Sequence, residues 1–157
     1  EFENKNKMIK KIFFLIVVLC LSNCGYNPVY IKKIDTDLLI KDYQLVGDKN
    51  INKSIISYLN IKNNNNRGAK YNLTLNSTRL VETVAKDKMG NASVYKTTIR
   101  VKLLMNEGDI LIKTKTFMSD FIYNNNSNKF DFYQYQKNID KNLINNLSEK
   151  ILIFLTS

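Results

Sequence analysis

The sequence predicts an α+β fold: a two-layer sandwich with two helices on one face of a four-stranded, mainly antiparallel sheet. Three observations carry this. Between residues 71 and 123 apolar residues recur at every second position, and turn signals at 87–91 and 106–109 divide the stretch into three hairpin-linked strands. Over 131–155 the apolar spacing changes to three and four, the period of a long helix. The lengths also agree. A helix of about 25 residues spans roughly 37 Å, and a strand of about 12–14 residues spans roughly 40–46 Å.

The chain begins with an export signal and an attachment point. Met8 is the expected initiator, and residues 1–7 are set aside. Lys10 and Lys11 precede ten uncharged apolar residues, Ile12 to Leu21. This is the build of a secretory signal, and the run is shorter than the ~20 residues of a spanning helix. It ends in Leu21-Ser22-Asn23-Cys24, the form of a bacterial lipobox, although Asn23 stands where Gly, Ala or Ser is usual. On that reading residues 8–23 are removed. Cys24 takes a diacylglycerol thioether, and its amine takes a further acyl chain such as palmitate. The alternatives are a short uncleaved anchor, or a secreted chain with an incidental Cys. Residues 24–36 form a tether in which Pro28 favours extended backbone, and residues 37–157 form one domain.

Within that domain, β-prone residues over about 40–46 end at Gly47 and predict the first strand. Asp48 or Asn50 can cap a helix over about 50–61, with Ile51, Ile55 and Leu59 on one side. Asn63 to Gly68 is a polar loop. The second strand starts at Tyr71 with Leu73 and Leu75 on one face. Leu80 and Val84 lie on the opposite parity, so a bulge or bend is expected near Ser77 to Arg79. In the third strand Tyr95, Thr97, Ile99, Val101, Leu103 and Met105 share a face. In the last strand, about 110–123, Ile110, Ile112, Met118 and Ile122 are expected to pack under the helices. That choice leaves an open face with Lys96, Arg100, Lys102, Lys113 and Lys115, and with Phe117, Phe121 and Tyr123 among them. A basic and aromatic face suits a partner surface or an anionic amphiphile. The sequence leaves open whether the first strand pairs parallel or antiparallel.

Composition narrows the function. The net charge is +10, and residues 1–23 hold four Lys and two Glu, so the chain from Cys24 keeps +8. For an exported protein this points to membrane, anionic lipid or protein rather than nucleic acid. Lys, Asn and Ile are encoded by AT-rich codons, so compositional drift is a second source of the charge. With no His, an imidazole relay or imidazole metal site is excluded. The two Cys are Cys20, in the signal, and Cys24, whose sulfur carries lipid, so no free thiol is expected. No metal site, no cofactor beyond the covalent lipid, and no enzymatic activity are expected.

Cys24-Gly25-Tyr26-Asn27-Pro28-Val29-Tyr30 resembles the mature N-terminus of the LptE family, commonly Cys-Gly-Phe-x-Pro-Leu-Tyr. The order of strand, helix, long strands with a Thr-Arg pair (Thr78-Arg79) and long C-terminal helix is similar as well. The resemblance runs from Cys24 to the end, and only its first seven residues form a sharp motif. It implies an outer-membrane lipoprotein, anchored in the inner leaflet on the periplasmic side of a Gram-negative envelope. The family acts in lipopolysaccharide transport and membrane assembly, as partner and plug of the LptD β-barrel. It also implies lipopolysaccharide binding through basic residues. Charge and strand position nominate Arg79, Lys86, Lys88, Arg100 and Lys102. The alternative is an outer-membrane lipoprotein that binds a peptide or lipid, or scaffolds, outside that pathway.

Overall fold

A computed structural model describes residues 39–62 and 68–157. The expected signal, Cys24 with its tether, and the loop at 63–67 lie outside the described residues. The elements are β1 (Ile40–Gly47), α1 (Lys49–Tyr58), β2 (Tyr71–Lys86), β3 (Ala92–Glu107), β4 (Ile110–Asn124) and α2 (Lys129–Thr156). They form one four-stranded sheet in the order β1-β2-β3-β4, and both helices lie on one face of it. The α+β architecture is the expected one.

β1 pairs parallel to β2, with Tyr43 beside Leu73 and Leu45 beside Leu75. Parallel neighbours need a crossover of roughly a dozen residues or more, and α1 with its flanking loops supplies it. β2–β3 and β3–β4 are antiparallel.

The turn from β1 into α1 is held by close packing. Gly47 has a φ of +81°, and a Cβ there would come within 2.0 Å of the Ser77 carbonyl oxygen. Only glycine permits this approach. Asp48 then caps α1, accepting from the amides of Asn50 and Ile51 at 2.9 and 3.1 Å. The buried Asn52 side chain donates to the Val46 carbonyl at 2.7 Å, and Ser77 Oγ donates to the Asp48 carbonyl at 3.0 Å. Asn128 caps α2 similarly, accepting from Phe130 and Asp131 amides, while its own amide donates to the Asp131 carboxylate at 2.7 Å.

The core lies between the layers. Ile51, Ile55 and Leu59 of the first helical segment meet Leu73 and Leu75 of β2. Ile99, Val101 and Leu103 of β3 meet Ile139, Leu143, Leu147 and Ile151 of α2. Burying each such side chain contributes about 1.5–3 kcal/mol relative to exposure.

Two expectations are corrected. No register break occurs near Ser77 to Arg79. β2 pairs evenly with β3 from Tyr71 to Thr83, and its irregularity falls at Thr83 to Lys86. Leu80 and Val84 are simply exposed on the face away from the helices. The second correction concerns β4, whose faces are reversed. Phe117 and Tyr123 are buried under α2, while Ile110, Ile112, Met118 and Ile122 are exposed. Both parities of β4 carry apolar residues, so alternation alone does not choose between them. The aromatic set decides. Tyr123 packs on Tyr95, Phe132 and Tyr135 with ring centroids 5.9–6.0 Å apart, and Phe117 meets the edge of Phe154 at 5.7 Å. Such pairs stabilise beyond their buried area. The Tyr123 hydroxyl also has partners, Thr97 Oγ1 at 3.0 Å and Gln136 Nε2 at 2.9 Å.

Candidate functional site

The open sheet face is the surface on which the cationic candidates can meet a ligand. Its centre is β3. Because side chains alternate along a strand, Lys96, Thr98, Arg100 and Lys102 project away from the helices. Register fixes their neighbours. Arg100 stands between Thr78 and Met118, Lys102 between Asn76 and Thr116, and Lys96 between Glu82 and Ile122. Lys96 Nζ lies 3.3 Å from Asp120 Oδ2, an exposed pair of modest worth. Among the described residues neither Arg100 nor Lys102 makes an ion pair. They are one strand repeat apart, roughly 7 Å along β3.

Around these two cations the surface is aliphatic rather than aromatic. Leu80, Met118 and Ile122 are each more than half exposed. The face therefore offers charge-assisted donors beside apolar contact area, a combination that suits a molecule carrying phosphates next to hydrocarbon.

The five nominated cations do not form one cluster. Arg100 and Lys102 share the open face. Arg79 is on the opposite face, where its Nε donates to both carboxylate oxygens of Asp140 on α2 at 3.0 and 3.1 Å. Its task is to join β2 to α2. Lys86 and Lys88 are at the β2–β3 hairpin, eight or more residues along β2 from Thr78, the neighbour of Arg100. At about 3.3 Å per residue the two groups are roughly 26 Å apart. The hairpin itself is organised by Asp87, whose carboxylate accepts from the amides of Met89 and Asn91, both at 2.8 Å. These bonds, the Asn91 amide foremost, hold the Asp87 carboxyl below its usual range against an opposing desolvation. Met89 at the tip is 88% exposed.

Lys113 and Lys115, expected on the open face, are on the helix side. Lys113 Nζ donates to the Phe154 carbonyl at 3.2 Å near the end of α2, where a cation complements the helix dipole. Lys115 sits 5.4 Å from the Phe117 ring centre and 5.3 Å from that of Phe154. The residues that sequence reasoning missed are Met118, Ile122 and Leu80, the apolar part of the open face. Leu80 on the polar parity of β2 was the available signal.

Among the described residues no group of acidic, Cys or His side chains is arranged to hold a metal, and no helix is long and apolar enough to cross a membrane.

The fold recurs in solved bacterial lipoproteins. The chain is similar to rare lipoprotein B from Shewanella oneidensis with a TM-score of 0.57 and 13% identity, over 73% of this chain and 93% of that one. It is similar to a minor lipoprotein from Acinetobacter baumannii with a TM-score of 0.56 and 14% identity, over 75% and 92% of the two chains. For lipoprotein B from Nitrosomonas europaea the TM-score is 0.56 at 9% identity, over 72% and 80%. At these identities the likeness establishes a shared fold. No protein-family model and no curated protein matches the sequence.

Proposed function

We propose that this chain is an outer-membrane lipoprotein of the lipopolysaccharide-assembly machinery, the partner and plug of an LptD-like β-barrel. The observation that carries the reading is a conjunction. The motif Cys24-Gly25-Tyr26-Asn27-Pro28-Val29-Tyr30 precedes a domain whose fold is shared with bacterial lipoproteins. Lipid on Cys24 holds the domain at the periplasmic side of the outer membrane. Attachment through two or more acyl chains is stable, whereas one chain gives marginal binding. The role is binding and assembly rather than catalysis, and it needs no cofactor. Lipopolysaccharide phosphates meet Arg100 and Lys102, with Leu80, Met118 and Ile122 beside acyl or core-sugar surface; Lys86 and Lys88 form a second, separate basic group at the hairpin.

The test is affinity purification of the tagged full-length chain from outer membranes in mild detergent. Recovery of a β-barrel protein in stoichiometric amount supports the reading. Recovery of the lipoprotein alone, with normal surface lipopolysaccharide on depletion, refutes it in favour of a binding or scaffolding lipoprotein outside the pathway. Intact mass tests the anchor: an N-terminal acylated, diacylglyceryl Cys24 is expected, and a retained signal refutes it. For the ligand face, Arg100→Ala with Lys102→Ala should weaken lipopolysaccharide binding most at low salt, because screening already weakens the charge at high salt.

A further inference from the structure

A groove of about 710 Å³ runs between α1 and α2, on the side of the molecule opposite Arg100 and Lys102. Lys53 of α1 and Lys137 and Lys141 of α2 line it, and Tyr58 and Ile144 supply its apolar surface. Ser57 and Asn145 add polar groups. Among the described residues one carboxylate lines it, that of Asp140, and Arg79 already occupies both its oxygens at 3.0 and 3.1 Å. The groove therefore presents three cations around a short apolar floor.

We propose that this groove receives an extended acidic segment of a protein partner, one with carboxylates at alternate positions. Spacing carries the choice of occupant. Lys137 and Lys141 are four residues apart on one helix, a rise of about 6 Å. In an extended chain, side chains two residues apart recur on the same side every ~6.8 Å. A carboxylate-x-carboxylate pair running along α2 thus meets both lysines, with Lys53 across the groove for a third. The intervening backbone can bond to Ser57 and Asn145, and an apolar neighbour can rest on Tyr58 and Ile144. A second copy of this chain is disfavoured, because each copy from Cys24 onward carries a net charge of +8. The floor of two apolar residues is too small to receive acyl chains, which disfavours a lipid. The inference does not depend on the barrel assignment, and co-purification tests that separately.

The experiment is fluorescence anisotropy with the full mature chain in detergent at about 150 mM salt. The probe is a fluorescein-labelled peptide of alternating Asp and Thr, about eight residues long, long enough to line the groove. Lys137→Gln with Lys141→Gln should weaken binding about tenfold, as expected for two lost charge pairs. Lys137→Arg with Lys141→Arg should restore it. Lys49→Gln with Lys150→Gln, an equal charge change on helix positions outside the groove, should leave it unchanged. Equal losses in both glutamine variants would show general electrostatics and overturn the site. Displacement of the probe by soluble short-chain phosphatidylglycerol at lower concentration than by unlabelled peptide would also overturn it, in favour of a lipid. So would tighter binding after Asp35→Asn with Asp37→Asn, because the chain's own Asp35-Thr36-Asp37 has the same alternation.

Discussion

Truncating two adjacent residues of β4 separates the two possible arrangements of that strand. Phe117 is 6% exposed and Met118 is 52% exposed. Phe117→Ala removes a buried ring, its edge contact with Phe154 at 5.7 Å, and the seat of the Lys115 ammonium. Buried Phe-to-Ala changes cost about 3–5 kcal/mol. Because β4 is an edge strand among the described residues and neighbouring side chains can settle into the gap, a value near 3 kcal/mol is expected. Met118→Ala removes a side chain already half in water and should cost about 0.5 kcal/mol. In urea, with a slope of about 1–3 kcal/mol/M for a domain this small, Phe117→Ala should lower the unfolding midpoint by roughly 1–3 M. Met118→Ala should lower it by less than about 0.5 M. Far-UV circular dichroism follows the transition. Equal costs, or a larger cost for Met118→Ala, would mean that the aliphatic parity faces the helices, and the account of the open face would fall with it.

Gly47→Ala should destabilise by about 2–3 kcal/mol, since φ of +81° disfavours a side chain and the new Cβ would meet the Ser77 carbonyl. Gly90→Ala, with φ of +86° and nothing within 4 Å, should cost only about 1 kcal/mol; equal melting-temperature drops for the two would remove the steric part of the argument. A double-mutant cycle on Arg79 and Asp140 should give a coupling of about 0.5–1 kcal/mol that shrinks in about 1 M salt, as befits a partly exposed pair. A coupling near zero at low salt would deny that pair any role in joining β2 to α2. Asp87 has a depressed pKa in the folded hairpin, so the contribution of its bonds is full above the unfolded value and is lost as pH falls through the folded one. Carboxyl NMR titration should place its midpoint below 3.8, and a midpoint at or above 3.8 would contradict the hairpin hydrogen bonds.

Most of the fold was legible because its strongest patterns are long. The alternation of β3 from Tyr95 to Met105 has no competing apolar parity, and all six of its inward positions face the helices. The spacing of Ile139, Leu143, Leu147 and Ile151 likewise admits only one helix face. β4 was illegible for the opposite reason. Ile110, Ile112, Met118 and Ile122 form one convincing set, and Phe117, Phe121 and Tyr123 form another. The choice rests on partners in β3 and α2 that are remote in sequence, namely Tyr95, Phe132 and Phe154. Asp48 and Asn50 could each cap α1, and the Gly47–Ser77 approach selected Asp48 by fixing where the strand ends. Of the candidate site, Arg100 and Lys102 were placed correctly on the open face. Arg79 was separated from them because odd positions of β2 face the helices, as Leu73, Leu75 and Ser77 already showed.

The corrected faces also bear on the origin of the positive charge. If drift toward AT-rich codons alone had placed the cations, they should be indifferent to structure. Several are engaged instead: Arg79 with Asp140, Lys96 with Asp120, Lys113 with the end of α2, and Lys115 over two rings. The chain has 24 Lys and Arg, of which three are Arg. Two of those, Arg79 and Arg100, lie on adjacent strands near mid-sheet, one register step apart (Arg79↔Ile99, Thr78↔Arg100), and point to opposite faces. Arg79 uses its guanidinium to hold a carboxylate. Arg100 offers the same planar donor set on the open face with no protein carboxylate paired to it among the described residues. A guanidinium recognises carboxylate or phosphate with a geometry that an ammonium lacks. An arginine at that position, beside Met118, has the donor geometry that the proposed anion-binding role requires.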